Sequence, residues 1–283
     1  MPEELIQVDG HSVQFQRSGH GPAAVLVHGL LGYSFSWRFA VPLLAKAREV
    51  FALDMPGSGL SECDSHLDCR LKCAAQRLLE FLDTVGVDYC DLIGSSYGGT
   101  TAMMAAALQP SRIRTLTIVS PANPWSRVGR MRLALLRNPM LAAAFPTMAR
   151  QMSWLNVHFL RRMYGDPAAV TTETIRGYGV PLARRGVLEH AVAIVASWDS
   201  DMRELEAALP KIADTPVLIL WGSTDRVVDP TSAHRLAERL PKAEIAVIEG
   251  VGHLPYEENP EQFSRIVLSF LEKYSEPAVA RGK

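Results

Sequence analysis

Several things this sequence lacks narrow its reading. It has no charge excess: 29 Lys plus Arg stand against 30 Asp plus Glu, a net charge of −1, so no global cationic field exists to wrap a nucleic acid. Long apolar runs are missing too; nothing reaches the roughly eighteen residues a bilayer span needs, and no integral membrane segment is expected. Cysteine is sparse. Cys63, Cys69, Cys73 and Cys90 contain no C-x-x-C pair and no histidine cluster joins them, which predicts free thiols and no metal site. The first residues, Met1 to Leu5, are acidic and strand-like, where a secretory leader needs basic residues and an apolar run. A cytoplasmic protein is therefore expected. What is present is a 48% hydrophobic composition over 283 residues, enough for a full core without staples.

Along the chain, Leu5 to Phe15 reads as two short strands around Asp9-Gly10, a dipeptide suited to a tight hairpin. Compact apolar runs follow at Ala23 to Val27, Val50 to Leu53, Leu92 and Ile93, Leu116 to Val119, Val217 to Leu220 and Ile245 to Ile248. They lack strict alternation, as strands covered on both faces do. Helical patterns lie between them, clearest from Leu71 to Val85. The alternation predicts an α/β fold with a mostly parallel sheet after an antiparallel edge. From Ser120 to about Leu209 the rhythm breaks into a helix-rich, proline-punctuated stretch, so residues 1–120 and 210–283 are expected to form the core and 121–209 an inserted helical cap. From Leu92 to Gly165 there is no Asp or Glu, while Arg112, Arg114, Arg127, Arg130, Arg132, Arg137, Arg150, Arg161 and Arg162 all fall there. Most belong to a solvated face; one or two are candidates to meet a substrate carboxylate.

The sharpest motif is Gly94-Ser95-Ser96-Tyr97-Gly98-Gly99, after a strand and before a helix. Only Ser96 has glycine two residues away on both sides, as a G-x-S-x-G turn requires for a serine held on a strained strand-to-helix corner. A serine hydroxyl is a poor nucleophile at neutral pH and needs a base and an orienting acid. The base candidate is His253, in the glycine-flanked loop Gly250-Val251-Gly252-His253-Leu254 after the last strand. The acid candidate is Asp225, just past the strand Val217 to Leu220, with Asp229 as the alternative. The loop after Leu116 to Val119 offers Ser120, Pro121, Ala122 and Asn123 but no carboxylate. His28-Gly29-Leu30-Leu31-Gly32 follows another strand, and the amides of Leu30 and Tyr97 are candidate donors to an oxyanion. Asp54 to Ser61 reads as scaffold around the pocket.

With these motifs in this order, the sequence resembles the α/β-hydrolase superfamily from about Val8 to Tyr274, in the branch with a cap after the sixth strand. The resemblance implies an eight-stranded, mostly parallel sheet, Ser96, Asp225 and His253 as a triad, Leu30 and Tyr97 as oxyanion hole, and no cofactor. It does not name the substrate. Haloalkane dehalogenases and epoxide hydrolases place an Asp where Ser96 stands, and plant-type hydroxynitrile lyases a Lys where Leu254 follows the histidine. Hydrolases of carbon-carbon bonds in ring-cleavage products often carry a Trp there.

The expected activity is hydrolysis of small carboxylic esters through an acyl-enzyme, by a monomer or homodimer acting on a small molecule. Carbon-carbon bond hydrolysis and a non-enzymatic ligand receptor are the alternatives. Trp125, Met148, Trp154 and Leu254 are the candidate substrate contacts, with Met131, Met152, Phe159, Met163 and Tyr164 as further candidates for the lining.

Overall fold

The computed structural model describes residues 3–126, 136 and 138–275; Arg127, Arg130, Met131, Arg132 and Arg137, and the tail from 276 onward, lie outside the described residues. The strands are β1 (Glu3–Val8), β2 (His11–Ser18), β3 (Ala23–Val27), β4 (Glu49–Leu53), β5 (Cys90–Ser95), β6 (Ile113–Val119), β7 (Val217–Gly222) and β8 (Ala243–Ile248). They form one eight-stranded sheet in the order β1-β2-β4-β3-β5-β6-β7-β8. β1, β2 and β4 pair antiparallel, and from β4 to β8 every pairing is parallel. The hairpin between β1 and β2 turns at Asp9 and Gly10, both at positive φ (50° and 75°), as a two-residue turn requires.

Alternate residues of the central strands feed two cores. Val25, Val27, Leu92, Ile118 and Ile219 face one hydrophobic cluster, and Leu26, Ile93, Val119, Leu218 and Leu220 face the other. This burial on both faces is why those strands read as unbroken apolar runs. β8 differs, since its residues from Ala243 to Val247 are only partly buried or exposed: it is the sheet's far edge.

The helices are α1 (Val41–Leu44), α2 (Leu71–Thr84), α3 (Tyr97–Leu108), α4 (Pro139–Gln151), α5 (Ser153–Met163), α6 (Thr172–Leu182), α7 (Val187–Ala208), α8 (Ser232–Ala237), α9 (Pro255–Glu258) and α10 (Pro260–Lys273). α2 buries Leu71, Ala75, Leu78, Leu79 and Leu82, and stops where Gly86 takes the left-handed conformation (φ 72°) that commonly closes a helix. α3 is buried almost all round, so its small residues let it cross the sheet closely. Helices α4 to α7 lie between β6 and β7. α4 begins on Asn138, whose side chain accepts from the amides of Met140 and Leu141.

The described arginines of the acid-free segment are largely engaged. Arg114 and Arg48 both pair with fully buried Asp91 at the start of β5, at 2.7 and 3.0 Å. Arg112 pairs with Asp83, and Arg150 with Glu189.

Candidate active site

The parallel strands end on the side where β3, β5, β7 and β8 release four loops, and the singled-out residues sit there. Ser96, between β5 and α3, holds φ 53° and ψ −119°, a conformation disfavoured for any residue with a side chain. Its neighbours must be glycine for lack of space. A Cβ on Gly98 would come within 2.3 Å of the Val27 and His28 carbonyl oxygens, and one on Gly94 within 2.4 Å of the Gly98 oxygen. The turn therefore wedges Ser96 beside the loop after β3, where a Cβ on Gly29 would stand 3.0 Å from the Ser96 Cβ.

That loop is set by His28. Its Nδ1 lies 2.8 Å from the Gly29 oxygen and its Nε2 accepts from the Met55 amide at 3.0 Å, which puts the proton on Nδ1. Burial lowers its pKa, with Asp54 opposing, so the ring is a neutral brace. Asp54, itself buried, accepts from the amides of Ser34 and Leu60 and serves the same scaffold. The amides of Leu30 and Tyr97 have no acceptor among the described residues. Leu30 lies in the loop after β3, packed against Ser96, and Tyr97 is the first residue of α3, directly after Ser96.

His253 and Asp225 meet. The Nδ1 of His253 lies 2.7 Å from the Asp225 Oδ2, and both side chains are buried. Asp225 also accepts from the Trp221 indole at 3.0 Å and from the amides of Val227 and Val228. Burial on its own would raise its pKa, but the charge and hydrogen bond of His253 and the two amides hold it below the usual aspartate range. Asp229 instead accepts from the Thr231 amide just before α8. Asn123, in the loop after β6, hydrogen-bonds Pro121, Ser232 and the amides of Trp125 and Ser126, a turn-building role.

Ser96 and His253 line a single cavity of about 160 Å³. Its roof comes from the segment between β6 and β7: Phe145 and Ala149 of α4, then Leu155, Phe159 and Met163 of α5. Leu254 lines it. Trp125, Met148 and Trp154 do not. Trp125 packs on the core beneath Arg239, while Met148 and Trp154 are 44% and 61% exposed. The reason is helical phase: Phe145 and Ala149 are four apart, as are Leu155, Phe159 and Met163, so each set shares a helix face that reaches the cavity, and Met148 and Trp154 lie off those faces. Of the further lining candidates Phe159 and Met163 do reach the cavity, whereas Phe145, Ala149 and Leu155 were not singled out in the sequence. Tyr164 is buried but bonds Glu257, and Met152 is not among the lining residues. No Lys, Arg, Asp or Glu lines the cavity, so, among the described residues, no arginine is placed to meet a substrate carboxylate.

The α/β-hydrolase-fold family model matches residues 22–260. The chain belongs to that family. Among curated relatives it is 28% identical to the dihydrolipoyllysine-residue acetyltransferase component of an acetoin cleaving system from Pseudomonas putida, over 92% of this chain and 66% of that protein. It thus spans just under two thirds of that relative's length. It is also 28% identical to a pimeloyl-[acyl-carrier protein] methyl ester esterase of Aeromonas hydrophila, over 92% of this hydrolase and 99% of the relative. The fold matches that of Cfl2 from Burkholderia cenocepacia with a TM-score of 0.85 at 22% identity, covering 95% of each chain. Among the described residues no cluster of metal-ligating side chains occurs, and no helix is long and apolar enough to cross a membrane.

Proposed function

We propose that this hydrolase is a serine esterase acting on small, uncharged carboxylic esters, with Ser96 as nucleophile, His253 as base and Asp225 as orienting acid. The observation that carries the reading is the 2.7 Å contact of His253 Nδ1 with Asp225 in a cavity that also exposes Ser96. Asp225 accepts a hydrogen bond from the protonated Nδ1, which leaves Nε2 as the basic lone pair. That nitrogen removes the Ser96 proton as the oxygen attacks the ester carbonyl, and then passes the proton to the departing alcohol. Water, deprotonated by the same imidazole, releases the acid from the acyl-enzyme.

In this reading the unpartnered amides of Leu30 and Tyr97 hold the tetrahedral oxyanion, each worth about 3 kcal/mol in the transition state. The Tyr97 amide opens α3, whose dipole adds to the same field. Residues 121–209 act as the cap that roofs the acyl group. An apolar lining favours neutral esters, and a diketo acid from ring cleavage would bring a carboxylate that no cation among the described lining residues receives. Nothing in the site needs a nucleic acid or a second protein.

Treatment with a fluorophosphonate, followed by intact mass, tests the reading. One adduct is expected on the wild type and none on Ser96→Ala. An adduct of equal yield on Ser96→Ala refutes the assignment. In a panel of aryl esters, those with a neutral acyl group are expected to exceed their carboxylate-bearing counterparts at low and high salt alike.

A further inference from the structure

Behind one wall of the cavity lies a buried polar group that the acyl-transfer chemistry does not use. Glu257, four residues past His253, has a side chain with no solvent exposure and pairs with Arg38 at 3.0 Å. Its Oε2 also accepts from the Tyr164 hydroxyl, and its Oε1 from the Tyr178 hydroxyl. Tyr178 in turn lies 3.0 Å from the Ser36 Oγ, and Ser36 and Tyr178 both line the cavity.

Counting protons settles the direction of this chain. Beside a guanidinium, Glu257 is a carboxylate and can only accept. Tyr178 has a single phenolic proton, and the carboxylate is the stronger acceptor. Burial, then the Glu257 charge, push the Tyr178 pKa well above its usual value, so that proton stays on the phenol and on its bond to Glu257. The Tyr178 oxygen can then only accept from Ser36. Ser36 spends its one proton there, and its Oγ presents lone pairs alone. Of the other polar lining side chains, Tyr256 accepts from the Ser95 Oγ at 3.1 Å, and Asn156 donates one Nδ2 hydrogen to the Ala149 oxygen at 3.3 Å, keeping its second amide hydrogen and its Oδ1. At Ser36, therefore, the cavity wall offers a hydrogen-bond acceptor and no donor.

We infer that Ser36 is a specificity-determining residue that accepts a hydrogen bond from a hydroxyl group on the acyl chain of the substrate. The substrate class is hydroxy esters with an acyl part of about six carbons, since a cavity of about 150 Å³ holds a benzene-sized group. The inference rests on the esterase reading for its chemistry. A polar atom left without a partner in an apolar site penalises the wrong ligand more than a good bond rewards the right one. A keto group at the same carbon is nearly the same size but brings an acceptor against an acceptor.

The test is binding to Ser96→Ala protein, which does not depend on turnover. Calorimetry compares methyl 3-, 4- and 5-hydroxyhexanoate with the corresponding oxohexanoates. At one position at least, the hydroxy ester is expected to bind about tenfold or more tighter than its keto partner. Adding Ser36→Ala should remove that preference. Adding Tyr178→Phe should narrow or reverse it, because the Ser36 proton is then released to the cavity; thermal melting verifies that each variant folds. Equal binding of hydroxy and keto esters at all three positions overturns the inference, as does a preference that survives Ser36→Ala. Hydrolysis by the wild type is scored separately: discrimination without turnover sinks the esterase reading and leaves Ser36 in place, and turnover without discrimination does the reverse.

Discussion

The backbone amide of His253 donates a 2.6 Å hydrogen bond to the carbonyl of Met163, the last residue of α5. The proposed base is thereby tied to the segment between β6 and β7 as well as to the sheet. Two glycines make the approach possible. A Cβ on Gly252 would fall 2.4 Å from the Met163 oxygen, and one on Gly165 would fall 2.2 Å from the Gly250 oxygen. Glu258 closes the contact by accepting from the amides of both Gly165 and Gly252.

Gly252→Ala should therefore move the imidazole rather than merely loosen the loop. The backbone atoms it meets cannot yield cheaply, and overpacking of this kind costs about 1–3 kcal/mol. A displacement on the order of 1 Å at a catalytic group lowers turnover by roughly a hundredfold. Ester turnover and a thermal melt measured side by side check this; unchanged kcat would show that His253 is placed without help from α5.

Asp225→Asn is expected to lower kcat by about four orders of magnitude, the size of effect seen when an orienting aspartate becomes an amide and the imidazole takes the wrong tautomer. KM should change little, because Asp225 does not line the cavity. A loss confined to KM would mean that Asp225 shapes the pocket and leaves the proton transfer alone.

Acid should destabilise the fold through His190 and Asp225 together. Burial, aided by Arg77 and His28, lowers the His190 pKa to about 4, whereas the unfolded chain protonates it near 6.5. The unfolded state thus binds more protons between these values, and stability falls as pH drops from about 6.5 toward 4. The full effect is on the order of 3 kcal/mol. The lowered pKa of Asp225 acts in the same direction, its contribution present above about pH 3.9 and lost as pH falls through its folded value. Urea midpoints from pH 7 to 4 should drop more steeply in the wild type than in His190→Gln; parallel slopes would show that His190 does not set the acid limb.

Asp91→Ala should be among the most destabilising single changes far from the cavity. It strands Arg48 and Arg114, whose side chains are 5% and 12% exposed, and removes the acceptor of the Thr115 hydroxyl. Removing one partner of a buried pair costs about 3–5 kcal/mol. Chemical denaturation reads this directly, and a loss below about 1 kcal/mol would place the cluster effectively in solvent.

Much of the architecture was legible in one dimension because its signals are local. The Asp9-Gly10 hairpin, the β3 run and the spacing of α2 each report a backbone preference or a burial pattern within a few residues. The strand ends were less visible: β5 and β6 extend beyond Leu92-Ile93 and Leu116 to Val119 to Cys90–Ser95 and Ile113–Val119. The extensions carry polar residues such as Asp91 and Thr115, whose burial depends on partners from other strands.

The sequence by itself determined the register of the serine turn, since steric room for glycine on both sides of Ser96 is a local demand. It also bounded the acid to Asp225 or Asp229, the two carboxylates close behind β7. Tertiary structure alone shows which of these carboxylates meets His253, because the 2.7 Å contact of Asp225 with it joins residues 28 positions apart. It decided, too, that Phe145, Ala149 and Leu155 line the cavity beside the candidates Phe159 and Met163, while Trp125, Met148 and Trp154 do not. Residue type indicates that a side chain will pack, but the rotation of a helix against its neighbours, set by the summed contacts of the whole segment, fixes the surface it packs on.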